Sequence, residues 1–188
     1  MSTHDVYSLP EGLPVPVDDG GCGHLPGKTL PAVTLASSQG PVDLAALARN
    51  RLVLYVYPRT GRPDQSVPSG WDEIPGARGC TPESCGFRDH AAELAQLGAS
   101  VARLSVQPLE EQVESAQRTR MPYPVIADPN RALGRALDLL TFEFEGLMLY
   151  TRVTIIAEAA TIVKVFYPVF PPDRHAEEVV AWLRAKMS

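Results

Sequence analysis

The sequence predicts an α/β fold with a central mixed sheet flanked by helices, and three observations carry that prediction. From residue 52 to residue 137, apolar runs rich in Val, Leu and Tyr alternate with stretches of helical spacing, the order expected of crossover units on a sheet. Residues 147–157 and 161–167 then alternate in polarity and are rich in Val, Ile and Tyr, as a hairpin requires. The chain has 188 residues, 45% of them hydrophobic and 21% charged, which is enough to bury a core without disulfide staples.

Taken in order, residues 1–29 are expected to form an irregular arm. They hold prolines at 10, 14, 16 and 26 and glycines at 12, 20, 21, 23 and 27, with no helical or strand period. Leu9, Leu13, Val15 and Val17 are available to pin the arm across the domain. Within it, Gly20-Gly21-Cys22-Gly23-His24 offers a Cys-x-His pair, but a metal site needs further ligands, so Cys22 is read as an exposed spectator thiol. The main domain is expected over residues 30–188.

Leu30–Leu35, a turn at Ser37–Gly40 and Val42–Leu44 read as strand, turn and second short strand, and Ala45–Asn50 as a short helical segment. Leu52–Tyr57 is a buried strand by length and content. Arg59–Arg78 then forms a loop longer than compact domains usually tolerate, with prolines at 63, 68 and 75 and a lone Trp71. Thr81-Pro82-Glu83 starts a helix: a hydroxyl cap, a proline where no N–H is needed, and an acid in the first turn. Phe87, Ala91 and Leu94 continue its apolar face to a stop at Leu97-Gly98. Ser100–Val106 is a strand, Leu109–Arg120 a polar surface helix, Tyr123–Asp128 a short strand, and Arg131–Leu137 helical. In the last hairpin the turn Glu158-Ala159-Ala160 lacks the usual Asn, Asp or Gly, which local pattern does not explain. Asp173–Lys186 closes the chain as a helix whose acids precede its bases, with Val179, Val180 and Leu183 facing inward.

Net charge is −5, from 17 basic and 22 acidic residues, with no basic block, so nucleic acid and anionic membrane are not expected partners. No run approaches the roughly 20 apolar residues of a membrane helix. The polar N-terminus shows no leader pattern. Three cysteines do not make a secreted disulfide framework, and the expected location is cytoplasmic.

The chemistry is concentrated in Gly79-Cys80-Thr81-Pro82-Glu83-Ser84-Cys85-Gly86-Phe87-Arg88-Asp89. Cys80 falls at or just outside a helix N-terminus, where orphan N–H groups and the helix dipole favour a thiolate. If Cys85 shares that helix, the two Cα atoms are about 8–9 Å apart, beyond the roughly 7 Å that a disulfide spans. Spacing alone leaves two readings open: two buried small hydrophobes, the usual fate of free cysteines, or a reactive pair.

Tyr57-Pro58, Gly79-Cys80-Thr81 and Cys85-Gly86-Phe87-Arg88-Asp89 resemble the bacterioferritin-comigratory (Q-type) peroxiredoxins, and the likeness runs from about Leu30 to the C-terminus. It implies a thioredoxin-like fold and a thiol peroxidase acting on hydrogen peroxide and organic hydroperoxides. Cys80 would be the peroxidatic cysteine and Cys85 the resolving one. The Gly79 and Cys80 N–H groups would bind substrate, together with Arg152 in Arg152-Val153-Thr154-Ile155, placed on the strand before the last hairpin turn. Arg78 and Arg88 are weaker candidates for the cation. Pro58 matches the family proline. The family hydroxyl three residues before the cysteine is replaced by Ala77, and Thr60 is the candidate substitute. The implied cycle passes through a Cys80 sulfenic acid and a Cys80–Cys85 disulfide, melting about Gly79 to Phe87, with thioredoxin or a similar dithiol as reductant. The resemblance calls for no flavin, haem or metal and suggests a monomer, a dimer remaining open. A thioredoxin-like carrier, whose usual signature is Cys-x-x-Cys, and a redox sensor without fast peroxidase activity are the competing classes.

Overall fold

The computed structural model describes residues 5–188, so the first four residues of the arm, and the reading of the extreme N-terminus, lie outside the described residues. Its centre is a seven-stranded mixed sheet in the order β2-β1-β5-β4-β3-β8-β9. The strands are β1 (Thr34–Ser37), β2 (Val42–Asp43), β3 (Arg51–Val56), β4 (Ser100–Ser105), β5 (Val125–Ala127), β8 (Val153–Glu158) and β9 (Thr161–Phe166), while β6 (Thr141–Phe144) and β7 (Leu147–Tyr150) form a separate hairpin. β3, β4 and β5 run parallel, and β8 and β9 continue the sheet antiparallel on the other side of β3. The helices are α1 (Leu44–Leu47), α2 (Cys80–Asp89), α3 (Ala91–Gln96), α4 (Leu109–Thr119), α5 (Ala132–Leu137) and α6 (His175–Met187).

Alternation along β3 builds both cores. Val53, Tyr55 and Tyr57 face one layer, where they meet Phe87 of α2, Leu94 of α3 and Val179 and Leu183 of α6. Leu52, Leu54 and Val56 face the other, with Leu30, Leu44, Leu133 and Leu137. Cys22 and Leu25 are buried in that second layer, and His24 bonds the Leu137 carbonyl at 3.0 Å. Cys22 is therefore a core residue, 5% exposed, and not a surface thiol. Its glycine-rich setting hid the packing, which comes from elements more than a hundred residues away.

Three segments depart from the sequence reading. Residues 147–157 do not form one strand: β7 pairs back on β6 around Glu145-Gly146, and β8 begins only after Thr151-Arg152. The Leu109–Arg120 helix is polar, yet Gln112, Ser115 and Thr119 form a buried face, not a solvated one. The helix from Cys80 is divided at His90, although the Leu94 N–H still reaches the His90 carbonyl at 2.9 Å, so it bends more than it stops. The Ala159-Ala160 turn now has an explanation. Both residues have positive φ, 47° and 62°, and their N–H groups are captured by the Asn50 and Ala48 carbonyls at 3.0 and 2.9 Å. Tertiary hydrogen bonds impose a conformation for which turn chemistry would choose Asn-Gly.

The 59–78 loop is ordered by packing. Trp71 lies 4.9 Å from the Phe144 ring and 6.2 Å from Phe142, and Ala77 and Leu149 complete a third small core between the loop and the β6–β7 hairpin. Trp71→Ala is expected to cost about 3 kcal/mol, at the lower end for a large buried aromatic because this core is small. Limited proteolysis should then cut within 59–78; a loop equally resistant in both proteins would show that Trp71 does not hold it.

Candidate active site

Cys80 is the first residue of α2 and is 4% exposed. Gly79 caps the helix at φ 100°, and a Cβ there would lie 2.5 Å from Pro172 Cγ and 2.7 Å from Leu9 Cδ2. Only glycine allows this entry angle and this close approach. The N–H groups of the first helical turn, those of Cys80 and Thr81 among them, have no intrahelical acceptor and are free to donate. Pro82, third in the helix, removes none that the helix needs.

Arg152, 2% exposed, closes over the sulfur. Its Nη2 donates to Cys80 Sγ at 3.2 Å and to the Ala77 and Arg78 carbonyls at 3.2 and 3.1 Å, and its Nε donates to Gly76 O at 3.2 Å. Its Nη1 is ion-paired with Glu83 Oε2. The break between β7 and β8 puts Arg152 on the connecting segment, just before the strand expected to carry it. The end of the long loop thus supplies three carbonyls that orient one guanidinium. The Cys80 thiol itself donates to Ala77 O at 3.6 Å.

Burial pushes the Cys80 thiol up. The Arg152 guanidinium draws it down, the Glu83 carboxylate pushes it up again, and the Arg59 backbone N–H at the end of β3 draws it down. Burial also pushes the Glu83 carboxyl up, against the pull of Arg152 and His175. Glu83 Oε1 finds no partner among the described residues.

The predicted residues are not all brought together. Thr60 is buried, but its hydroxyl donates to Gln107 Oε1 at 3.2 Å and its N–H to the same oxygen at 2.8 Å, so it is held on the β4–α4 side. The position it was to replace, Ala77, contributes a main-chain carbonyl in place of a hydroxyl, and the threonine lining the cavity over the sulfur is Thr81. Pro58 is buried just beyond β3, next to Arg59, whose backbone N–H reaches the Cys80 sulfur. Arg78 is paired with Asp72 at 3.0 Å on the cavity wall, while Arg88 bonds Asp89 and the Thr119 carbonyl. The cavity holds about 100 Å³ and opens between Arg59, Val67, Pro68, Trp71, Thr81 and Cys80.

Cys80 and Cys85 are both free thiols on one continuous helix, which keeps their Cα atoms about 8–9 Å apart. Cys85 is half-buried and its thiol is pushed up by burial. Two residues on, Phe87 is stacked on Tyr55 with ring centroids 4.3 Å apart, a firm end to any unwinding that starts at Cys80. Glu83 was legible only as a first-turn acid, and nothing local marked it as the counter-ion of Arg152.

A profile of the redoxin family matches residues 25–181. The chloroplastic peroxiredoxin Q of Sedum lineare is 26% identical over 161 residues, covering 85% of this chain and 77% of that one. The peroxidoxin BcpB of Mycobacterium tuberculosis superposes with a TM-score of 0.69 at 28% identity, covering 87% and 98% of the two chains. The bacterioferritin comigratory protein of Xanthomonas campestris, which has alkyl peroxide reduction activity, gives 0.65 at 22% identity, covering 94% and 99%.

Proposed function

The chain belongs to the redoxin family and is a thiol peroxidase of the peroxiredoxin Q type with a thioredoxin-like fold, and from that premise we propose that Cys80 attacks the peroxide, Cys85 resolves it, and a dithiol such as thioredoxin restores both thiols. The single observation that carries the assignment is the buried Cys80–Arg152 contact at 3.2 Å, made by a cysteine that also lines an open cavity of about 100 Å³.

In the first step the Cys80 thiolate attacks the distal peroxide oxygen in line with the O–O bond. An S–O bond forms, the O–O bond breaks, and the departing oxygen carries negative charge until it is protonated. Arg152 and the Cys80 and Thr81 N–H groups face the region where that charge develops, in a setting from which water is largely excluded. The product is a Cys80 sulfenic acid and water or an alcohol. The Cys85 thiolate then attacks the Cys80 sulfur; an S–S bond forms, the S–O bond breaks, and hydroxide leaves as water once protonated. The second step requires α2 to unwind from Gly79 to about Gly86, ahead of the Phe87 stack. Alkyl hydroperoxides are the substrates favoured by the apolar wall of Val67, Pro68 and Trp71, with hydrogen peroxide as the smallest member of the class.

Stopped-flow mixing with one peroxide equivalent tests this reading, followed by mass spectrometry of the product. Oxidation of Cys80 far faster than a free thiol, and a Cys80–Cys85 bond within one chain, are expected; slow oxidation would favour a sensor or carrier. Because burial raises the Cys80 thiol, its thiolate fraction and the oxidation rate should climb with pH up to that raised value. Glu83→Gln removes a carboxylate that raises it, so the same profile should shift to lower pH. An unshifted profile would remove Glu83 from the electrostatics of the sulfur.

A further inference from the structure

Arg103 stands on β4 with its guanidinium wholly buried, at 0% exposure, and no carboxylate bonds it among the described residues. Nη1 donates to Ser84 Oγ at 2.6 Å and Nη2 to Ser115 Oγ at 2.7 Å, the group lies 5.2 Å from the Tyr57 ring centroid, and Nε has no partner. A buried cation hydrogen-bonded only by neutral groups is costly. Arg152, equally buried, is paired directly with Glu83, whereas Arg103 feels that carboxylate only at longer range and makes no ion pair with it.

The place of this charge is informative. Ser84 belongs to α2 and directly precedes Cys85, so the bond from Arg103 ends on the turn that separates the two cysteines. Unwinding that turn takes Ser84 away and leaves the guanidinium with two free donor groups beneath the opened segment. The anion that the same event brings into reach is the Cys85 thiolate. Charged groups facing Cys85 are Arg88 and Asp89 on its own helix, Arg118 on α4 and Arg103 on β4. Arg88 is tied to Asp89 and Arg118 to Glu114, so Arg103 is the one of these three cations with no carboxylate in ion-pair contact among the described residues.

We propose that Arg103 is the positioning residue of the resolution step: as α2 opens, its guanidinium exchanges Ser84 for the Cys85 thiolate and aims that sulfur at the Cys80 sulfenic acid. Resolution then proceeds as written above, with Cys85 losing its proton to solvent, the S–O bond of Cys80 breaking and hydroxide leaving. The peroxide already consumed is the oxidant, and no further co-reactant is needed. The inference rests on the assignment of Cys80 and Cys85 as the peroxidatic and resolving pair.

The test is single-turnover oxidation with one equivalent of hydrogen peroxide. Sulfenic acid formation and disulfide formation are timed separately by acid quench and mass spectrometry, from about pH 6 to about pH 9, a range that spans free-thiol ionisation. In Arg103→Met, disulfide formation should slow by about tenfold for each unit by which the Cys85 thiol rises, and should recover toward the unaltered rate at the alkaline end. Arg103→Lys should retain the unaltered pH profile, because the charge stays. Ser84→Ala should retain it too, because only the resting contact is lost. An Arg103→Met protein whose resolution shows the unaltered pH profile overturns the proposal, since a purely structural role would leave the profile in place. Should Arg103→Met not fold, Arg103→Gln keeps hydrogen bonding to the serines without charge and is read by the same criterion. Failure of Cys80 to form sulfenic acid in the unaltered protein is a separate result, and it would strike the peroxidase assignment itself.

Discussion

Cys80→Ser is expected to lower kcat/KM for peroxide on the order of 10⁴-fold or more, to the level of the uncatalysed reaction. The serine hydroxyl would occupy the same place at the start of α2, but it does not ionise in the accessible pH range and cannot attack a peroxide oxygen. Neither remaining thiol can take over. Cys85 lies on the far side of the helical turn from the Arg152 guanidinium and is pushed up by burial. Cys22 is pushed up to about 12 by burial, with Asp19 and Asp18 adding to the rise, and it packs in the opposite layer of the sheet. Cys22→Ala should therefore retain turnover while losing about 1 kcal/mol of core packing. Cys85→Ser should complete one rapid oxidation and stop at the sulfenic acid. Peroxide consumption with an excess of dithiol, alongside a single-turnover burst, separates the three variants. A Cys22→Ala protein as inactive as Cys80→Ser would show that the wrong sulfur has been assigned.

What could be read in the chain was whatever is local to it. The buried strand β3 and the inward face of α6 are dictated by neighbours within one or two turns and form where the pattern puts them, whereas α2 starts earlier than read: Gly79, not the Thr81 hydroxyl, is its cap, and Pro82 is its third residue. Arg152 was found through the resemblance of Arg152-Val153-Thr154-Ile155 to the family motif, although its contact with Cys80 spans 72 positions. The misses have the opposite character. Thr60 was chosen because it lies near Pro58 in the chain, but the long loop returns to the sulfur by its other end, and Ala77 and Arg78 arrive there instead. The β6–β7 hairpin left a signal that was overlooked: Phe142 and Phe144 alternate into Glu145-Gly146, and Leu147 and Leu149 alternate out again. Arg103 also had a signal, a charged residue within the apolar run from Val101 to Val106, but the sequence could not show that its partners would be hydroxyls on two helices. The buried polar face of α4 is legible only once Arg103 and Tyr57 are known to need it, because Gln112 accepts the Tyr57 hydroxyl at 2.6 Å and Ser115 accepts from Arg103.

Arg152→Met is expected to damage both stability and catalysis, and the two effects can be pulled apart through Glu83. Both ends of the Arg152–Glu83 pair are buried, at 2% and 0% exposure. Removing the cation alone strands a carboxylate that already has one unpartnered oxygen, a loss of about 3–5 kcal/mol for a buried pair broken from one side. Adding Glu83→Gln removes the stranded charge, so the double variant should regain most of that loss, in line with the modest net worth of buried pairs. Activity should not return with it. Without Arg152 no guanidinium donates to the sulfur, and the oxidation rate should stay on the order of 10²–10³-fold down, the usual consequence of losing one such donor. Glu83→Gln alone should fall between, keeping the guanidinium but losing the carboxylate that fixes its angle. Urea unfolding and single-turnover oxidation on all four proteins close the cycle. Recovery of stability without recovery of rate identifies Arg152 as the group that acts on the peroxide and Glu83 as the group that holds it. If rate and stability returned together in the double variant, Arg152 would be reduced to a structural counter-ion, and the electrostatics of the site would have to come from the α2 N–H groups and the other arginines around the cavity, Arg59 and Arg78.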